Sequence, residues 1–291
     1  MLDWLFQRMQ AAGDRTAVVL SDQEFSYAWL YQRVQHWLAR LQSEAISNHV
    51  VSLEADYSPE ACAALLALIH RGAIVVPLTV ALGEERRESF RSISQVQVRV
   101  RQDQEWALQR TGLEATHPLT GQLLDARQPG LVLFSTGSTG QPKAALHNFA
   151  RLLEKFQQPR HSLRTLAFLL IDHIGGQNTL FYTFANGGTL VSVAARDPDT
   201  ICGAIERHKV ELLPTSPTFL NLLLLSEAYT RYDLSSLKTI TYGTEPMPEA
   251  TLRRIHQVFP QVKLLQTYGL SELGILRSKS RASDSLWVQV G

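Results

Sequence analysis

Apolar residues along the chain fall into two kinds of run. One repeats at helical spacing: Trp29, Leu30, Val34, Trp37, Leu38 and Leu41 mark an amphipathic helix over residues 28–41. The other is short and nearly continuous, as in RTAVVL at 15–20, VVSLEA at 50–55 and AIVVPL at 73–78, and predicts strands. Residues 59–70 lie between two such strands and predict a buried helix with Pro59 near its first turn. A weakly patterned stretch follows to about residue 128, with the alternating VQVRV at 96–100 as its best strand candidate. Regular alternation resumes after Pro129-Gly130. It predicts strands at 131–135, 166–171, 189–193, 211–215, 238–242 and 262–267. Helices are predicted near 148–157, 176–186, 198–208, 216–228 and 248–259.

Short apolar strands separated by helices indicate sheets covered on both faces. The fold class expected is α/β, with two mostly parallel sheets flanked by helices. Residues 1–129 are read as one α/β subdomain and 130–291 as a second. From residue 275 the pattern turns to β-like pieces, and LWVQVG at 286–291 stops within a strand-like alternation. The chain is therefore expected to be cut short.

Composition narrows the function. Apolar residues make up 45% of the 291 residues and charged residues 19%, an ordinary balance for a soluble globular protein. A formal net charge of +1 gives no global field for nucleic acid. The local group Arg277, Lys279 and Arg281 reads as a solvated face. Two distant cysteines, Cys62 and Cys202, argue against a disulfide framework or a zinc site and fit a reducing compartment. The N-terminus lacks the basic and apolar regions of a signal peptide. The most apolar window, 61–70, is about half of what spanning requires. No membrane span and a cytoplasmic location are expected.

The stretch STGSTGQPKA at 135–144 carries the candidate chemistry. It directly follows a predicted strand, where α/β sheets take their ligands. Gly137 and Gly140 allow the backbone N–H groups to turn inward as an anion-binding nest. Ser135, Thr136, Ser138 and Thr139 add hydroxyl donors, and Lys143 adds a compact positive charge. Phosphates are the natural occupants. The loop is not a Walker A motif, because Lys143 follows Pro142 and precedes Ala144. A flexible linker would share the Ser/Gly content, but linkers do not usually sit between two buried strands.

This loop resembles the signature phosphate loop of the AMP-forming adenylating enzymes: acyl-CoA synthetases, acyl-AMP ligases, peptide-synthetase adenylation domains and luciferases. Ala144 stands where that family commonly has Gly. Other segments match in order. Residues 26–34 and 61–78 resemble the family's N-terminal subdomain, 172–191 its H-x-G-G segment, and 241–248 its adenine-side turn. QTYGLSELG at 266–274 resembles its Y-G-x-T-E motif, with Ser271 in place of Thr.

The resemblance implies a reaction in which a carboxylate attacks the α-phosphate of ATP, giving an acyl-adenylate and pyrophosphate. It implies ATP and Mg²⁺, a small carboxylic acid, and CoA or carrier-protein phosphopantetheine as acceptor, with an acyl carrier protein as a candidate partner. Residues 135–140 and Lys143 would hold the β- and γ-phosphates, and Thr136 or Ser271 would complete the α-phosphate contacts. Glu272 would bind Mg²⁺. Tyr268 would face adenine, with Gln266, Thr267 and Gly269 beside it and the turn Gly243, Thr244, Glu245, Pro246 closing the other side. His173 would border the acyl pocket, and Gly175 and Gly176 would leave room for the acid or turn the chain into the next helix.

Plainer readings stand beside these. Tyr268 could be core, Glu245 could merely precede a helix, and His173 could be structural. Asp172 lies near the position where adenylation domains hold an amino group, so amino-acid activation is an alternative, although HIGG favours an acyl or aryl acid. The family's C-terminal lysine-bearing domain has no match before Gly291. Substrate binding with poor turnover is therefore expected, and a non-catalytic nucleotide-binding or interaction protein is the further alternative. An ATP hydrolase lacks a loop motif of its own.

Overall fold

A computed structural model describes residues 1–136, 142–270, 274–276 and 278–291. Along the chain run α1 (Asp3–Ala12), β1 (Thr16–Leu20), β2 (Gln23–Ser26), α2 (Tyr27–Ser43), β3 (Val50–Glu54), α3 (Pro59–His70) and β4 (Ile74–Leu78). Next come α4 (Glu84–Ile93), β5 (Val98–Gln102), β6 (Trp106–Arg110), α5 (Pro118–Asp125), β7 (Gly130–Thr136), β8 (Pro142–Asn148) and α6 (Phe149–Glu154). The remainder holds β9 (Arg164–Leu166), α7 (Ile174–Ala185), β10 (Thr189–Ser192), α8 (Pro198–His208), β11 (Leu212–Thr215), α9 (Pro217–Ser226), β12 (Thr239–Tyr242), α10 (Glu249–Val258) and β13 (Lys263–Gln266). Short strand pairs follow: β14 (Gly269–Leu270) with β15 (Gly274–Ile275), and β16 (Ser278–Ser280) with β17 (Val288–Val290).

The chain divides into two compact units. The first comprises Met1–Ala17, Phe25–Pro159 and Leu170–His173; the second comprises Val18–Glu24, Arg160–Leu169 and Ile174–Gly291. The first is built on a six-stranded sheet in the order β6-β5-β3-β4-β7-β8. Its inner pairs are parallel, while β5–β6 and β7–β8 are antiparallel edges. The helix predicted at 59–70 forms as α3, with Ser58 Oγ accepting from the Ala61 N–H at 3.0 Å and Pro59 in the first turn. Every residue from Ala61 to Ile69 is buried, so this helix has no polar face.

On the α4 side of the same sheet, Val50, Ile74, Val76, Leu78 and Val132 pack against Phe90. Charge then fixes α4. Arg91, 2% exposed, donates from Nη1 to Glu54 Oε1 at 3.1 Å and from Nη2 to Glu84 Oε1 at 2.6 Å. Arg99 donates two further bonds to Glu54, each 3.1 Å, and Ser52 Oγ donates a third at 2.9 Å. Burying such charges is tolerable only because each is paired.

The second unit's main sheet has the order β13-β12-β11-β9-β10-β1-β2, with parallel pairing from β13 through β1. One prediction needs correcting here. The apolar run expected as a strand at 166–171 keeps only its first residue in β9, because Leu170–His173 turn away into the first unit. Apolar content alone does not distinguish a strand from a buried irregular segment. Among the described residues no helix is long and apolar enough to cross a membrane.

Candidate functional site

The hydroxyl-rich stretch joins β7 to β8. Their antiparallel register sets Ser135 opposite Lys143 and Thr136 opposite Pro142. Residues directly opposite in such a pair point their side chains to one face. The first hydroxyl of the stretch and its lysine are therefore neighbours at the root of the hairpin. Lys143 is exposed and makes no ion pair among the described residues. Gly137, Ser138, Thr139 and Gly140 lie outside the described residues, as do Ser271 and Glu272.

A cavity of about 550 Å³ opens within the first unit beside the hairpin root, lined by Arg86, Phe90, Phe134, Ser135, Pro142 and Asp172 among others. Phe90 and Phe134 form one wall, stacked with centroids 3.8 Å apart and planes 6° from parallel. Phe134 immediately precedes Ser135, so α4 braces the strand that presents the Ser135 hydroxyl. Asp172 Oδ2 accepts from Thr79 Oγ1 at 3.2 Å. Burial pushes the Asp172 carboxyl above the usual carboxylate range, against the hydrogen bond from Thr79. Burial also depresses the neighbouring His173, favouring its neutral imidazole. Gly175 and Gly176 are buried in the first turn of α7, two residues earlier than the helix start predicted from sequence.

In the second unit, the turn after β12 and the segment after β13 lie side by side. The Thr267 N–H and Oγ1 both donate to the Tyr242 carbonyl, at 2.8 Å and 3.1 Å. Gly243 permits this approach: a Cβ there would sit 2.5 Å from Thr267 Oγ1 and 2.8 Å from its carbonyl oxygen. Thr244 follows with φ of 75°, an outlying conformation for a β-branched residue. Such strain collects at ligand clamps and switch regions. Glu245 Oε1 accepts from the Thr218 N–H at 2.8 Å, at the open N-terminus of α9. Pro246 completes the turn before α10, which starts at Glu249 with Pro248 as its cap.

Tyr268 is 43% exposed, so it is not the plain core residue that its place after an apolar strand allowed. Gly269 pairs with Ile275 closely enough that a Cβ would meet Ile275 Cγ1 at 3.0 Å. The Gln266 backbone is held by two serines: its N–H donates to Ser280 Oγ at 2.8 Å and its carbonyl accepts from Ser278 Oγ at 3.0 Å. Sequence reasoning missed the Asp172–Thr79 pair and the Phe90–Phe134 stack. Their partners are 93 and 44 positions apart, and no local spacing signals them.

Residues 5–286 match the AMP-binding enzyme family. The chain belongs to it. It is 30% identical to the 4-coumarate–CoA ligase-like 9 protein of Arabidopsis thaliana over 57% of this chain and 31% of that one. It is 26% identical to the indoleacetate–CoA ligase of Aromatoleum aromaticum over 97% of this chain and 62% of that one. The chain thus spans less than two thirds of the length of these relatives. Among solved structures, the N-terminal subdomain of Klebsiella oxytoca NpsA, in complex with 3-hydroxyanthranilyl-AMSN, superposes with a TM-score of 0.77 at 19% identity, over 94% of this chain and 73% of that one. That likeness shows the fold: two parallel-rich sheets flanked by helices, as in the N-terminal subdomains of adenylating enzymes.

Proposed function

We propose that this chain is the N-terminal part of an ATP-dependent carboxylic acid–AMP ligase. A carboxylate oxygen forms a bond to the α-phosphorus of ATP while the bond to the bridging oxygen breaks, releasing pyrophosphate and leaving an acyl-adenylate. Such a step depends on positioning and charge stabilisation more than on covalent help from the protein. The observation that carries the reading is the register of Ser135 against Lys143, which supports a hydroxyl and an ammonium facing one triphosphate.

In this reading Ser135, Thr136, Gly137, Ser138, Thr139, Gly140 and Lys143 hold the β- and γ-phosphates, and Thr136 or Ser271 reaches the α-phosphate. Tyr268 faces adenine, with Gln266, Thr267 and Gly269 beside it and Gly243, Thr244, Glu245 and Pro246 on the other side. The exposure of Tyr268 and the close approach of Gly243 to Thr267, which brings the two segments side by side, support that assignment. Glu272 is the carboxylate assigned to Mg²⁺, which when bound offsets phosphate charge. His173, Gly175 and Gly176 border the acid. The acyl group then passes to the thiol of CoA or of a carrier protein.

Because the family resemblance assigns a further lysine to a C-terminal domain, turnover in the absence of such a domain is proposed to be slow. Two measurements test the reading. ATP should bind the chain in a calorimeter, and a carboxylic acid panel should yield acid-dependent exchange of labelled pyrophosphate into ATP once the protein is extended with such a domain. Failure of ATP to bind would overturn the assignment.

A further inference from the structure

At the carboxyl ends of three neighbouring strands, one face of the second unit's sheet changes character. Leu213, Ile240 and Leu264 stand side by side on β11, β12 and β13, and all are buried. One pleat farther along the same face, the next row in register is Thr215, Tyr242 and Gln266. Thr215 and Tyr242 are 2% and 1% exposed. Each member of the row keeps a buried polar atom with no hydrogen-bond partner among the described residues: Thr215 Oγ1, Tyr242 Oη and Gln266 Oε1. An orphaned buried group costs about 1–3 kcal/mol, so natural proteins keep few of them. Three in a single register row, where parallel sheets take their ligands, indicate that something else completes the bonds.

The row also has a direction. Gln266 ends β13 two positions before Tyr268, on the adenine side of the reading above. Tyr242 and Thr215 step away from it strand by strand, at roughly 4.8 Å each. The occupant beyond the nucleotide end of the row is then the acid. We propose that Tyr242 and Thr215 are specificity-determining residues that hydrogen-bond a polar substituent, hydroxyl or amino, on the body of the carboxylic acid. This inference rests on the acid–AMP ligase reading.

The surroundings agree with a mostly apolar acid carrying one such group. Tyr242 belongs to the same apolar cluster as Phe168, Phe219 and Met247, and Phe168 and Phe219 have ring centroids 4.7 Å apart. Burial pushes the Tyr242 phenol up to about 12, so it remains a donor at neutral pH. Thr215 Oγ1 can donate or accept. An unsubstituted acid would leave both groups unpaired, which is the situation in which a binding site discriminates strongly.

The test is calorimetric titration of this chain with AMP and with paired non-hydrolysable acylsulfamoyl adenosines: benzoyl against its ortho, meta and para hydroxy and amino forms, and an alkanoyl against its ω-hydroxy form. At least one substituted analogue should bind about tenfold or more tightly than its parent. Tyr242→Phe combined with Thr215→Val, checked for folding by thermal melting, should bring that ratio close to one. The proposal is overturned if AMP binds but every pair is equal or the parent is preferred, or if the preference survives in a folded double variant. The wild-type comparison decides the matter even if the variant does not fold. If neither AMP nor any analogue binds, the ligase reading itself falls and this inference falls with it.

Discussion

Ser135 and Lys143, eight positions apart in the chain, face each other across the β7–β8 hairpin. Opposed pairs share a face, so the hydroxyl and the ammonium can grip one anion without any rearrangement of the strands. Because Lys143 is exposed and unpaired among the described residues, removing its charge should cost little stability. Lys143→Ala should weaken ATP binding about tenfold or more, with an unchanged melting temperature. The loss should shrink as salt is raised, since an exposed charge is screened. Calorimetry at two ionic strengths checks both points, and equal ATP affinity in the two proteins would remove Lys143 from the site.

Much of this was legible in the sequence. Period-2 and continuous apolar runs located β3, β4, β10 and β12 to within about a residue, because strands covered on both faces are mostly apolar. The buried α3 was equally clear, since its run is continuously apolar and Pro59 marks its first turn. The stretch 84–125 was less so, with the strand candidate at 96–100 overlapping β5 (Val98–Gln102) and its helices unread. There α4 carries Glu84, Arg87, Glu88 and Arg91, and its apolar stripe is thin. Its place is set by ion pairs to Glu54, thirty-seven positions away from Arg91, and one-dimensional periodicity carries no such information. The polar row of Thr215, Tyr242 and Gln266 escaped for a related reason. Each residue lies in its own strand, and only the register between strands makes them neighbours.

Gly243 and Thr244 should respond to substitution in opposite directions. Gly243→Ala drives a Cβ against the Thr267 backbone, which cannot move without breaking its bond to Tyr242. Overpacking of this kind costs about 1–3 kcal/mol. Thr244→Gly relieves a positive φ that a branched side chain resists and should be neutral or stabilising. If the strained turn closes on the nucleotide, Thr244→Gly should nonetheless weaken AMP binding. Urea midpoints with and without AMP separate the two effects. A destabilised Thr244→Gly would show that the turn stores no strain.

Arg91 offers a contrast between buried and surface charge. Arg91→Ala leaves Glu54, 4% exposed, without one of its two guanidinium partners, takes from Glu88 its Arg91 partner, and leaves Glu84 with Arg87 and Arg99. Breaking a buried pair from one side costs about 3 kcal/mol. The helical surface pair Arg253–Glu249, with side chains 69% and 61% exposed, should contribute under about 0.5 kcal/mol. Because α4 also carries Phe90, the Arg91 variant should loosen the stack on Phe134 and lower ATP affinity as well. Denaturant unfolding of Arg91→Ala and Arg253→Ala, measured together, tests the ranking. Equal losses would contradict it.

Asp172 gives the pH prediction. Its folded carboxyl titrates above the ordinary 3.8, chiefly because burial penalises the charged form. Across the window between those two values the folded state holds more protons than the unfolded one, so stability falls as pH rises. The loss is complete above the folded value and absent below 3.8. Asp172→Asn keeps an acceptor for Thr79 and removes the buried charge. It should therefore melt higher than wild type at neutral pH and lose that advantage near pH 3. A residue that lowers stability in its working form is one expected to be kept for another purpose. The amino-acid alternative supplies such a purpose, since a substrate ammonium would pair with the carboxylate. If that alternative holds, Asp172→Asn should abolish binding of aminoacyl-adenylate analogues while sparing plain acyl analogues. Loss of both or of neither would leave the acyl and aryl acids as the substrates.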